Sequence, residues 1–471
     1  MTDRYESPLT GRYASKRMSE LFSQDVRYTT WRKLWVSLAE AEKELGLNIS
    51  DEQIKELKDH ICDIDYDAVR QREKEVRHDV MAHVYVYGLA APAAKGIIHL
   101  GATSCYVTDN GDLIIYRQAL SYIREDLLKL MKELGNLALR YKDLPALAYT
   151  HYQPAQPTTM GKRFSLWLQD LYFDLQDLDH VKDGLKFLGC RGTTGSEASF
   201  MDLFEGDEEK IDRMNARIAE DFGFKAVYDL SSQTYPRKID AKILFVLSSI
   251  AQSAYKMAQD IRLLQHDGEL EEPFEDSQIG SSAMAYKRNP MRCERVCSLA
   301  RYLINDAGNA CDTAAVQWLE RSLDDSANRR LSMPEAFLCA DGILSVLCNI
   351  IEGLKVNEKI VEKRIKDYLP FIATENIMME AVRKGKDRQI IHEIIRRDSM
   401  KVIKAKQNGE EADLLALLIQ EEELGLNEKE LKNILEPKLY TGRCARQTEH
   451  FVAKLQPLFE GVKEEKTLIE V

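Results

Sequence analysis

The chain has 471 residues, 44% of them hydrophobic and 30% charged, with a formal net charge of −12. At a domain size of about 100–200 residues, that length holds roughly two to four domains with sizeable apolar cores. The acidic balance argues against a general nucleic-acid binder, so any anionic ligand needs a locally basic pocket.

The first hundred residues read as helices joined by short connections. Tyr28 to Leu45 is amphipathic and ends at Gly46, and Asp51 reads as the N-cap of the next helix, with Ile54 and Leu57 inward. Arg77-His78-Asp79-Val80-Met81-Ala82-His83 is richer in polar function than its surroundings. His78 and His83 do not share a helix face well, which makes them poor joint metal ligands. Gly101-Ala102-Thr103-Ser104 is a turn of small residues that can offer hydroxyls and backbone N–H groups to a ligand, or cap the helix that follows. That helix is long, with Leu113, Tyr116, Leu120, Ile123, Leu127, Leu130, Leu134 and Leu137 recurring at three- and four-residue steps.

Tyr149-Thr150-His151-Tyr152-Gln153-Pro154-Ala155-Gln156-Pro157 is a shaped loop, because its two prolines exclude a helix. A further long pattern runs from Phe164 to Leu185. The run Gly189–Ser199 is only loosely like a phosphate cradle and lacks a Gly-Lys-Ser/Thr ending, which excludes nucleotide hydrolysis there. Ser231–Arg237 is a polar turn ahead of the cleanest helix, marked by Ile243, Leu247, Ile250, Ala254, Met257, Ile261 and Leu264. Another helix follows Pro290 to about Leu319, then a polar bend at Arg321–Arg330. Ser332-Met333-Pro334-Glu335 has the form of a capping box opening the last long helix. Five patterns of about 20–30 residues, well above the usual mean of about 11–12, predict an all-α long-helix bundle completed by other subunits. No convincing alternating strands accompany them. The expected division is an N-terminal helical domain (1–103), a central long-helix domain (104–356) and a smaller, more charged helical domain (357–471).

Nine cysteines include no C-x-x-C pair, so a zinc site is not expected, and Cys293 and Cys297 read as small buried residues. The odd count and an N-terminus with no apolar h-region predict a reducing, cytoplasmic setting. No apolar run approaches the ~20 residues of a membrane span.

The stretch from Asp276 to Arg295, DSQIGSSAMAYKRNPMRCER, joins two long helices. Small residues favour a mobile loop, Lys287 and Arg288 bring cations, Asn289-Pro290 breaks the chain, and a helix N-terminus follows, a natural place for anions. Ser281-Ser282-Ala283-Met284-Ala285-Tyr286-Lys287-Arg288-Asn289-Pro290 resembles the signature loop of the fumarase/aspartase superfamily, S-S-x-M-P-x-K-x-N, in the Tyr-Lys-Arg-Asn-Pro form of its adenylosuccinate lyase family. Ala285 departs from the usual proline, which loosens the loop. Gly11-Arg12-Tyr13, Arg77–Met81, Gly101–Ser104, Thr150–Gln156, Ser232–Arg237 and Leu323–Arg330 are similar to the same family in the family's order.

The resemblance implies β-elimination of fumarate from adenylosuccinate, giving AMP, and from the succinyl-carboxamide ribotide SAICAR, giving AICAR, in purine nucleotide biosynthesis, with no cofactor. Ser281 matches the general base, with Lys287 and the following helix N-terminus expected to stabilise its alkoxide. His151 matches the general acid, Glu294 the carboxylate that orients it, and His78 a histidine near the substrate phosphate. Arg12, Tyr13, Arg295, Ser326 and Arg330 match phosphate-side contacts. Thr103, Ser104, Gln233, Lys287 and Asn289 match contacts to the succinyl carboxylates, and Arg321 matches a further substrate contact. Arg77, Asp79 and Thr150 join the substrate-binding set. The family also implies a homotetramer whose active sites are each shared by three subunits, with no nucleic-acid or membrane partner. Two alternatives stay open: another fumarate-releasing lyase such as argininosuccinate lyase or fumarase, and a catalytically inactive structural relative. Tyr286–Pro290 and Gln233–Arg237 speak against the first; Ser281, His151 and Lys287 speak against the second.

Overall fold

The computed structural model describes residues 5–275, 278–463, 466–467 and 469; Asp276, the first residue of the loop read from the sequence, lies outside them. Five long helices dominate: Ser104–Arg140, Met160–Asp183, Lys238–His266, Met291–Ala315 and Asp325–Gly353. Each turns its three-and-four periodic apolar stripe into one continuous core, where Leu120, Leu127, Leu134, Leu168, Leu247, Ile250, Ile261, Leu303 and Leu347 are fully buried. At roughly 1.5–3 kcal/mol per buried aliphatic side chain, this stripe and not helix propensity holds the bundle. Gly161 allows the 104–140 and 160–183 helices to meet at their ends, because a Cβ there would lie 2.3 Å from the Ala138 carbonyl oxygen.

Three local readings need correction. Ser50, not Asp51, is the N-cap of Asp51–Asp59; its hydroxyl accepts the Gln53 N–H while Gln53 reaches back. The Tyr149–Pro157 stretch is a β-hairpin, Pro145–Thr150 against Gln153–Thr159, with a two-residue turn at His151 and Tyr152 in left-handed backbone (φ 52° and 57°). Its prolines sit in a two-stranded sheet, where an edge tolerates the missing N–H. The last long helix starts at Asp325 and continues through Pro334. There the buried face Asp325, Arg329, Ser332, Met333 and Ala336 overrides the proline, and ion pairs of Asp325 and Arg329 pin the first turns.

A second, smaller core gathers Ile377, Ile391, Ile394, Val402, Leu414, Leu418 and Leu431, while Val452, Leu455 and Phe459 return to the main one. Cys293 and Cys297 are buried. By length and composition the 325–353 helix could cross a membrane, contrary to the sequence reading, yet 78% of its apolar window is buried inside the bundle.

Candidate active site

A cleft of about 720 Å³ opens where several helix ends meet, and nine of the residues expected from the sequence line it: Arg77, His78, Asp79, Thr103, Ser104, Gln233, Arg321, Ser326 and Arg330. Local structure sets each one. Arg77 ends the Tyr66–Val76 helix in left-handed backbone, and His78 caps the Asp79–Ala90 helix. His78 Nδ1 accepts the Met81 N–H (3.3 Å), so the neutral ring carries its proton on Nε2, 3.3 Å from the Ser104 hydroxyl. Thr103 and Ser104 open the 104–140 helix. Among the described residues, Arg27 and Arg77 pair with no carboxylate, leaving positive charge at the rim of an acidic protein. Arg330, half-exposed, pairs with Asp79 at 2.8 Å. Arg330→Ala should raise KM about tenfold with kcat within about threefold, since it removes binding shared by ground and transition states; steady-state kinetics checks this, and an unchanged KM rejects a substrate contact.

The inner wall of the cleft is a buried ionic network that sequence reading missed. The Arg237 guanidinium grips Asp109 with two N–H groups (2.9 and 3.3 Å) and Asp325 with its Nε (2.7 Å). Arg321 donates to both Asp325 oxygens at 2.8 Å. Burial alone would raise the Asp325 carboxyl, but Arg237 and Arg321 outweigh it and hold it below the usual carboxylate range. Arg329 binds Asp240 (2.6 Å), Asp112 (3.1 Å) and the Tyr235 hydroxyl (2.5 Å), which itself donates to Asp240. Tyr235, Arg237, Asp325 and Arg329 all stood in polar runs noted in the sequence, but nothing in one dimension pairs them with each other or with Asp109. His99 also lines the cleft; burial, then His78, pushes it down to about 4, and its Nδ1 accepts the Trp35 indole N–H. His83 is structural, stacked on Tyr28 at 3.9 Å.

The other expected residues stand elsewhere in the chain. Arg12, Tyr13 and Arg295 line a separate cavity of about 630 Å³, with the Arg295 guanidinium 5.8 Å from the Tyr13 ring centre. Thr150 and His151 are exposed at the hairpin tip. Ser281 is half-buried and Lys287 exposed in the signature loop. The Ser281 hydroxyl oxygen accepts N–H bonds from Ala283 (3.3 Å) and Met284 (3.1 Å). Asn289 donates its amide to the Gly280 carbonyl (2.8 Å), folding the loop on itself. Gly280 is obligatory there, because a Cβ would sit 2.1 Å from the Lys287 carbonyl oxygen.

One expectation changes. The helix N-terminus after Pro290 does hold an anion, but it is the protein's own: Glu272 accepts from the Arg292 and Cys293 amides (2.9 and 3.0 Å), so those amides are not available to Ser281. Burial raises this carboxyl above its ordinary range, and the two amide bonds draw it back in part. Glu294, expected to orient His151, faces Arg262 of the same chain at 3.8 Å.

The chain matches two family profiles, one described as a lyase family over residues 11–304 and one as the adenylosuccinate lyase C-terminus over residues 370–451. It is 50% identical to the adenylosuccinate lyase of Saccharomyces cerevisiae, covering 100% of this chain and 99% of that one, and 49% identical to that of Schizosaccharomyces pombe, covering 99% of each. The 3-carboxy-cis,cis-muconate lactonizing enzyme of Pseudomonas putida shares the fold, with a TM-score of 0.83 over 95% of this chain and 99% of that one at 24% identity. A cleft in which Arg27 and Arg77 pair with no carboxylate among the described residues, a serine with amide support, and full-length identity of this degree agree, and the chain belongs to the adenylosuccinate lyase family.

Proposed function

We propose that the protein removes fumarate from adenylosuccinate to leave AMP, and from SAICAR to leave AICAR, as an adenylosuccinate lyase of purine nucleotide biosynthesis working in the cytoplasm. The observation that carries the chemistry is the pair of amide N–H groups on the Ser281 oxygen. A serine is a weak base until its alkoxide is stabilised, and two preorganised donors supply that stabilisation without reorganisation. Ser281 takes the proton from the carbon next to a succinyl carboxylate. The electron pair left on that carbon spreads into the carboxylate, where cations and hydroxyls of Lys287, Ser104 and Thr103 balance it. The C–N bond then breaks, and His151 gives its proton to the departing nitrogen. His78, Arg330, Ser326, Arg12, Tyr13 and Arg295 serve the phosphate side, and Gln233 and Arg321 the remaining polar groups.

Ser281, His151 and the cleft stand on separate parts of one chain. Exposed apolar side chains along the long helices, among them Leu166, Phe173, Phe245 and Leu263, favour burial against other copies. A homotetramer in which three subunits build each site joins the parts, with the division at 103 and 356 separating the flanking domains from the shared bundle. The decisive assay incubates the purified protein with adenylosuccinate and measures fumarate and AMP. Equal amounts of both are expected; no product, or turnover of argininosuccinate in its place, sinks the reading.

A further inference from the structure

The signature loop leaves the bundle after Glu272 and rejoins it at Met291, so its catalytic geometry depends on what fixes those two roots. Glu272 is 5% exposed and reaches across the gap. It precedes the loop, yet its two carboxylate oxygens receive the amides of Arg292 (2.9 Å) and Cys293 (3.0 Å), which follow it. Gln265, in the last turn of the 238–266 helix, makes a second bridge over the same gap: its Oε1 accepts the Glu272 N–H (3.1 Å) and its Nε2 donates to the Arg288 carbonyl (3.3 Å). Outside these two, Arg292 donates to Glu275 (3.1 Å), and Arg288 lies 3.5 Å from Glu271 and 5.2 Å from the Phe274 ring centre. None of these groups lines the substrate cleft.

We propose that Glu272, braced by Gln265, is a positioning residue for the elimination: it clasps the two roots of the Ser281 loop and fixes the first turn of the helix that carries Glu294 and Arg295. Bridging two separate N–H donors needs a lone pair on each oxygen, and the helix dipole favours the ionised carboxylate at this end. An isosteric amide keeps one acceptor and sets an NH₂ against the other N–H. The loop root then loosens by a fraction of an ångström while the cleft that binds substrate stays whole. Misplacement on that scale lowers the rate of chemistry more than affinity.

This inference rests on the lyase reading, and the test separates the two. Glu272→Gln and Gln265→Ala are compared with wild type for kcat, KM and thermal midpoint with adenylosuccinate, and for the rate of tryptic cleavage after Lys287 or Arg288. For Glu272→Gln, kcat should fall at least about tenfold with KM within about threefold, and cleavage should be faster. Gln265→Ala should follow in the same direction with a loss of about threefold, and it carries the test alone if Glu272→Gln does not fold. Wild-type kcat and cleavage rates in a folded variant overturn the clasp, as does a loss of kcat that only tracks the loss of folded protein. A wild type that does not turn over adenylosuccinate rejects the lyase reading instead, and the tryptic rates still decide whether the clasp exists.

Discussion

Replacing Ser281 with alanine will lower kcat at least about 10³-fold while substrate still binds, because the change removes the oxygen that takes the proton and leaves the cleft groups in place. His151→Ala will lower it by several orders of magnitude for a different reason: the leaving nitrogen departs without a proton. Neither side chain is part of the packed core. Ser281 is half-buried in the loop and His151 exposed on the hairpin, so both variants should melt with wild type, and a pre-steady-state binding experiment should return a Kd within a few-fold of it. The two inactive proteins also test the shared site. If Ser281 and His151 of one active site come from different subunits, dissociating and reassembling an equal mixture restores sites in which both groups are intact. Random assembly puts an intact pair in about a quarter of the sites. Recovery near that level supports sharing. No recovery, with mixed oligomers shown to be present, places both residues of a site on one chain, and substantial turnover by either variant alone removes that residue from its role.

How far these assignments were readable in the sequence differs by type of feature. The five long helices were legible because each buries one continuous stripe at three- and four-residue spacing, as in Ile243, Leu247, Ile250 and Ala254. The hairpin carrying His151 was not, since its turn uses His151 and Tyr152 in left-handed backbone where Asn-Gly or Asp-Gly is the usual signal. The start of the last long helix was missed because Pro334 looks like a first-turn proline, whereas ion pairs formed by Asp325 and Arg329 carry the helix back to Asp325. Nine of the candidate residues were brought into one cleft, but the groups that hold them there were invisible. Arg237 meets Asp325 across 88 residues and Asp109 across 128, and no local spacing encodes such a contact. Glu272 illustrates the same limit at shorter range: the helix N-terminus after Pro290 was correctly read as an anion site, and only the fold reveals that the anion comes from the chain itself.

That buried network predicts the largest effect on stability. Arg237→Met keeps the side-chain volume roughly constant but leaves Asp109 and Asp325, both nearly inaccessible, without their shared cation. Breaking a buried pair by removing one partner costs about 3–5 kcal/mol, and Asp325 keeps only Arg321 among its three hydrogen-bonding contacts to guanidinium nitrogen. The pH dependence distinguishes this mechanism from a simple packing defect. In wild type the folded-state pKa of Asp325 is depressed, so its contribution is fully present above the ordinary carboxylate pKa of about 3.9 and is lost as pH falls through the lower folded value. In the variant one of the two depressing cations is gone, Arg321 alone opposes burial, and the Asp325 carboxyl rises from its wild-type position. The penalty is then greatest near neutrality, where folding must bury two carboxylates stripped of their shared cation, and it shrinks as acid neutralises them. Denaturant unfolding of both proteins between pH 7 and pH 5 should therefore give stability curves that converge toward the acid side, whereas a gap of constant size would mean that Arg237 acts through its packing and not through its charge.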